Sequence, residues 1–99
     1  MIVVIGHIRI PPEKMADARP AIRSVVTATL KEPGCVLYAF SEDAIEPGTI
    51  RIAEKWDSWD ALKAHGGTPH LDAWRAVLKG IGVRDREVIA YEAGETRGL

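Results

Sequence analysis

A single cysteine, Cys35, in a chain of 99 residues excludes an internal disulfide and fits a reducing compartment. Net charge is nearly absent: 13 basic residues against 14 acidic ones leave −1. No basic cluster of the kind that tracks phosphates is present, so no nucleic-acid partner is expected. No apolar run approaches the roughly 20 residues that a membrane-spanning helix needs, so no membrane partner is expected either. The apolar start, MIVVIGHIRI, has no basic leader and no small-residue cleavage site, and its β-branched residues favour a strand over a signal peptide. The expectation is a small cytoplasmic protein with one domain over residues 1–94 and a polar tail over 95–99.

Hydrophobic residues make up 46% of the chain, and their spacing alternates between two periods. From Ile2 to Ile10 the even positions are wholly apolar, while the odd ones turn polar at His7 and Arg9. This predicts a strand between two buried environments, with the mixed face assigned to the helix side. A helix follows. Pro12 suits its first position, and Ile22, Val25, Val26, Thr29 and Leu30 recur at helical spacing. Pro20 implies either a kink or a helix that begins only near Asp17. Pro33 and Gly34 end the helix.

Residues 35–43 and 49–56 read as two further strands. Between them Glu46-Pro47-Gly48-Thr49 has the order a type II turn prefers, which predicts an antiparallel pair. Asp57 or Ser58 can cap a short helix ended by Gly66-Gly67. Thr68 and Pro69 then open another helix, with Leu71, Trp74 and Leu78 on one stripe and Gly80 beyond its end. Residues 86–93 supply the last strand. The order β-α-β-β-α-β, with the second helical segment broken in two, is the ferredoxin-like α+β arrangement with an antiparallel four-stranded sheet. Both faces of the first two strands carry apolar groups, Val36, Tyr38 and Phe40 being grouped against Cys35, Leu37 and Ala39 in the second. A bare sheet face of that kind calls for a second copy packed sheet to sheet.

Five short signatures occur in order: Glu32-Pro33-Gly34-Cys35, Glu54-x-Trp56-x-Ser58, Ala61-Leu62, Ala64-His65 and Thr68-Pro69-His70. Through them the chain resembles the antibiotic biosynthesis monooxygenase family, which includes quinol monooxygenases and belongs to the dimeric α+β barrel superfamily. The resemblance implies a homodimer with one small pocket per subunit between sheet and helices. It also implies oxidation of a small quinol or polyphenol by dioxygen with no cofactor, neither metal nor flavin. The chemistry has a plain logic. Dioxygen reacts poorly with closed-shell molecules, whereas an electron-rich phenolate can give it one electron. The protein must therefore favour the phenolate, hold the ring and exclude water, and a histidine of ordinary pKa about 6.5 suits the first task.

Three histidines compete for that role. His65 ends the short helix and His70 opens the next, so both imidazoles could reach one pocket mouth, although a cation at a helix C-terminus or a half-exposed side chain explains each as well. His7, within a strand on the mixed face, stands level with His65, because a polar residue at that position borders the pocket in related enzymes. Arg9 on the same face could stabilise an anionic oxygen, or end a solvated strand. Trp56 and Tyr38 are expected in the pocket wall, Trp74 in core and wall, and Glu54 as a hydrogen-bonding group or alternative base. Trp59 reads as a surface residue. His7, His65, His70 and Asp72 show no paired spacing for a metal, so none is expected. Haem-degrading relatives of the fold share an Asn–Trp–His set, but the corresponding positions here hold His7, His65 and Arg75, which argues against haem. A non-catalytic small-ligand-binding or detoxification module and a cofactor-free isomerase remain the alternatives.

Overall fold

The computed structural model describes all 99 residues. Strand β1 (Ile2–Arg9) leads through a short 3-10 turn at Pro12–Lys14 into helix α1 (Met15–Thr29). Strands β2 (Cys35–Glu42) and β3 (Thr49–Trp56) follow, then helices α2 (Trp59–His65) and α3 (Pro69–Ile81), and strand β4 (Asp85–Glu92). The sheet order is β2-β3-β1-β4, with every neighbouring pair antiparallel. This is the ferredoxin-like α+β fold that the element order predicts. Residues 93–99 follow the last strand without regular structure.

The helices cover one face of the sheet. Their core partners are Ile8, Ile10, Ile50 and Ile52 from the sheet, with Met15, Ala18 and Val25 from α1 and Trp74 and Leu78 from α3. On β1 the wholly apolar even positions therefore face the helices, and the mixed face that carries His7 and Arg9 is the open one. The assignment made from sequence is thus reversed. The physical reason is that the side chains α1 and α3 set against the first strand are apolar, whereas His7 and Arg9 find a carboxylate on the other side. His7 Nε2 lies 2.9 Å from Asp85 Oδ2, and Arg9 donates to the same carboxylate and to Glu46.

Helix α1 continues through Pro20, beginning earlier than Asp17. Pro20 and Ala16, whose carbonyl loses its partner four residues on, are both exposed, so water can take over the missing bond. Leu30 drops out of the expected stripe and lies on the surface, while Met15, Ala18, Val25 and Thr29 are buried. Helix α3 continues past Gly80 to Ile81, where Gly82 at φ 90° ends it. Gly48, at φ 82°, closes the β2–β3 turn, with Thr49 N donating to Glu46 O across it.

In β2 a bulge between Cys35 and Leu37 changes which residues face inward. Cys35 pairs with Trp56 and Tyr38 with Glu54, so both point to the helix side, although one is odd and the other even. The expected grouping of Val36 with Tyr38 and Phe40 fails for this reason. Val36 is the extra residue and is exposed.

Candidate active site

Helix α2 is only seven residues long, so its position depends on its ends. Ser58 caps it, its hydroxyl accepting from Ala61 N at 3.1 Å, a bond that contributes about 1 kcal/mol to such a helix. At the other end Thr68 does not cap α3 with its side chain. Its hydroxyl donates instead to His65 O at 2.8 Å and anchors the link between the two helices. Gly34, at φ 81°, brings the chain end of α1 against α2: a Cβ there would meet Ala61 Cβ at 2.7 Å. These contacts set His65 and Glu32 beside one another.

His65 is the centre of the site. Its side chain is almost wholly buried, and both ring nitrogens are engaged. Nδ1 lies 2.7 Å from Glu32 Oε2, and Nε2 lies 3.2 Å from Tyr38 Oη. A carboxylate only accepts, so Nδ1 carries the hydrogen and Nε2 is left with its lone pair toward the tyrosine hydroxyl. His70 Nε2 donates to the same Glu32 oxygen at 2.7 Å. Glu32 thus joins both histidines of the α2–α3 junction. Behind His65 lies Trp56, fully buried, with ring centroids 4.8 Å apart, and its indole N–H donates to Glu54 Oε1 at 2.9 Å.

Burial governs the protonation states. It lowers the pKa of His65 from the ordinary 6.5, although the hydrogen bond and charge of Glu32 pull upward. His65 is accordingly a neutral base at pH 7. Burial raises Tyr38 well above the usual phenol value, with the charge of Glu54 adding to it, so its hydroxyl stays protonated and can donate to His65 Nε2. Glu54 is raised by burial, which outweighs the opposing hydrogen bond from Trp56.

A cavity of about 270 Å³ opens beside this group, between the sheet and helices α2 and α3. Val4, Ile8, Ile52, Val88 and Ala90 supply its sheet wall, and Leu71, Trp74 and Leu78 its helix wall. Tyr38, Phe40, Glu54 and His65 reach its interior, and Arg75 and Arg86 border it. Phe40 packs against Trp74 with centroids 5.6 Å apart. A mainly apolar chamber with a histidine lone pair, a hydroxyl and the Glu54 carboxyl inside it can hold a flat ring and take a proton from it.

Of the residues singled out from sequence, the structure brings His65, Tyr38, Glu54 and Trp74 to the cavity. Trp56 stands behind it, holding Glu54 and packing on His65. His70 lies on the far side of Glu32 and borders a second, smaller hollow of about 160 Å³ beside α1. His7 and Arg9 are on the opposite face of the sheet and do not reach the cavity. Trp59 is half exposed. Glu32 was not singled out from sequence as a site residue, since within Glu-Pro-Gly it reads as part of a helix stop. Its donor atom and those of His65 and His70 lie within 4.8 Å of one another, so the junction does gather a convergent set that the spacing of the histidines alone does not reveal.

The antibiotic biosynthesis monooxygenase family model matches residues 1–77. The Escherichia coli protein "Probable quinol monooxygenase YgiN" is 34% identical over 92 residues, covering 81% of this chain and 86% of that one. "Putative monooxygenase YcnE" of Bacillus subtilis is 30% identical over 95 residues, covering 96% of this chain and all of its own length. A crystal structure from Deinococcus radiodurans, named as a "putative antibiotic biosynthesis monooxygenase", superimposes with a TM-score of 0.93 at 34% identity and covers 100% of this chain and 98% of that one. With the match spanning most of the chain and the fold shared throughout, the protein is a member of the antibiotic biosynthesis monooxygenase family.

Proposed function

We propose that the protein is a cofactor-independent monooxygenase that oxidises a small quinol or polyphenol with dioxygen, with His65 as the general base. The observation that carries this reading is the Glu32–His65–Tyr38 chain of hydrogen bonds, which delivers a neutral Nε2 to an apolar cavity. A substrate hydroxyl that displaces or joins Tyr38 at Nε2 gives up its proton there, and Glu32 steadies the imidazolium that forms. The phenolate then passes one electron to dioxygen, and the resulting superoxide and ring radical combine at a ring carbon. Loss of water from that hydroperoxide completes the reaction. For a simple hydroquinone the sum is hydroquinone plus O₂ to hydroxyquinone plus water, the substrate losing four electrons and dioxygen gaining four. The apolar walls keep water from the reactive pair, and Trp74 and Phe40 suit a flat ring.

A homodimer belongs to the same reading. The open face of the sheet carries Ile5, Ile89 and Tyr91, which are 52%, 42% and 53% exposed, with Leu37 farther across. Ile5 and Ile89 are direct cross-strand partners, so this is a contiguous apolar surface rather than scattered residues. A second copy packed on that face would cover it and leave the cavity on the helix side free.

Oxygen uptake by metal-stripped protein with a panel of small hydroquinones, corrected for their spontaneous oxidation, tests the proposal. One O₂ consumed per substrate, with loss of turnover in His65→Ala, is the expected result. Ligand binding without oxygen uptake would instead indicate a binding or detoxification module, and a new product formed without oxygen would indicate an isomerase. Turnover that survives His65→Ala removes the base assignment.

A further inference from the structure

Two arginines border the cavity from opposite walls, Arg75 on α3 and Arg86 on β4. Arg75 already has partners: Nη1 donates to Gly66 O at 3.0 Å and to Asp72 Oδ1 at 3.2 Å. Arg86 has none. No carboxylate lies within ion-pair distance of its guanidinium; Arg23 and Arg84 share that property, but of the three only Arg86 borders the cavity. It stands opposite Ile8 in the sheet, on the cavity side, so its five donors are free where a ligand would emerge from the apolar interior.

Asp72 offsets part of the charge of Arg75, whereas Arg86 has no carboxylate partner. His65 is neutral, and Glu54, one oxygen occupied by Trp56, is buried deeply enough that its pKa is raised although the charge of Arg86 pulls it down. The guanidinium of Arg86, with the partly offset charge of Arg75 facing it, gives the opening a preference for anions. A guanidinium matches a carboxylate through two parallel hydrogen bonds, which fixes orientation as well as charge. A ring anchored in this way would enter hydroxyl first, toward Tyr38 and His65.

We propose that the substrate is an aromatic hydroxyl compound bearing a carboxylate, seated with its ring in the cavity and its carboxylate on Arg86, with Arg75 adding charge from the facing helix. This rests on the reading of the cavity as the substrate site and names the class of molecule it takes. The cavity volume, about 270 Å³, sits at the lower end of small-molecule pockets, which suits one or two rings.

The test uses two ligands that resist oxidation, a hydroxynaphthoate and the corresponding naphthol, with calorimetric titration of the wild-type protein, Arg86→Gln and Arg86→Lys. The carboxylate compound should bind at least ~10-fold tighter than the naphthol, the scale of one charge-assisted hydrogen bond. Arg86→Gln should abolish that ratio, Arg86→Lys should restore part of it, and added salt should reduce it. Equal affinity for the two ligands, failure of the carboxylate compound to bind at millimolar concentration, or a ratio unchanged in Arg86→Gln overturns the proposal. Oxygen uptake with a carboxylated hydroquinone is scored separately. Selective binding without oxygen consumption would leave the anion subsite standing and remove the monooxygenase reading.

Discussion

Glu32 and His65 meet at 2.7 Å although 33 residues separate them in the chain. The carboxylate fixes which ring nitrogen carries the hydrogen, and so decides that the other faces Tyr38 as a base. Glu32 itself does not border the cavity. In the proposed reaction it is a positioning residue, acting only through His65.

Replacing Glu32 with Gln should therefore affect turnover more than binding. The amide can present its N–H₂ to Nδ1 and favour the wrong tautomer, so kcat should fall on the order of 10²-fold while KM moves little. The same change removes the two influences that raise the His65 pKa, and the NMR titration midpoint of His65 should shift further below 6.5. Oxygen uptake and the histidine titration check the two effects independently. A merely structural role for Glu32 would lower activity without moving the midpoint in that direction.

The depressed pKa of His65 also carries a stability consequence with a definite sign. Unfolded chains bind a proton at the ordinary value of 6.5, while the folded protein resists it until lower pH. Between those two values the unfolded state holds more protons, so the His65 contribution to stability is complete above 6.5 and is lost as pH falls through that window. Glu54 acts in the opposite sense, because its raised pKa makes ionisation above 4.5 easier in the unfolded chain. Urea midpoints measured from pH 7.5 down to 5.5 should isolate the histidine effect by comparison. The acid-side decline should be shallower in His65→Gln than in the wild type.

Tyr38→Phe removes one buried hydrogen bond without emptying the aromatic cluster of Tyr38, Phe40 and Trp56. The expected loss of stability is about 1 kcal/mol, read as a modest drop in thermal midpoint. If the hydroxyl helps seat the substrate beside Nε2, KM should rise several-fold with the fold intact. Circular dichroism melts and oxygen-uptake kinetics separate the two outcomes.

The proposed dimer is open to a charge test. Ile89→Glu places a carboxylate opposite Ile5 in the middle of the open sheet face, on the side away from the helices. Sedimentation should show a dimer for the wild type and a shift toward monomer for the variant. A wild-type chain that sediments as a monomer would overturn the proposed pairing.

Much of this fold was legible because its signals are local. The strand β3 at 49–56, the Pro47-Gly48 turn and the start of α2 at Asp57 or Ser58 follow from alternation, turn chemistry and capping over a few residues, and the structure selects Ser58 as the cap. What was not legible depends on comparisons across the sheet. Ile2–Ile10 announces one apolar and one mixed face, but nothing in the strand itself says which one the helices cover, and His7 and Arg9 were placed on the wrong side for that reason. The bulge at Val36 exchanges inward and outward residues without any unusual residue to mark it. Glu32 was hidden in another way: its Pro-Gly neighbours explain it locally as a helix end, and its function appears only once Gly34 packs on Ala61. His65 was singled out by its place beside the Gly66-Gly67 link and by the family resemblance, and Tyr38 and Glu54 by the strand faces they share with Phe40 and Trp56; the structure brings all three to the cavity.

The indole of Trp56, stacked close behind His65 and sealed from solvent, gives the protein an intrinsic optical gauge. An imidazolium beside an excited indole quenches its emission, whereas the neutral ring does so far less. Acidification should therefore dim one tryptophan among three as His65 acquires its proton, and the charge on that imidazole can be followed in unlabelled protein.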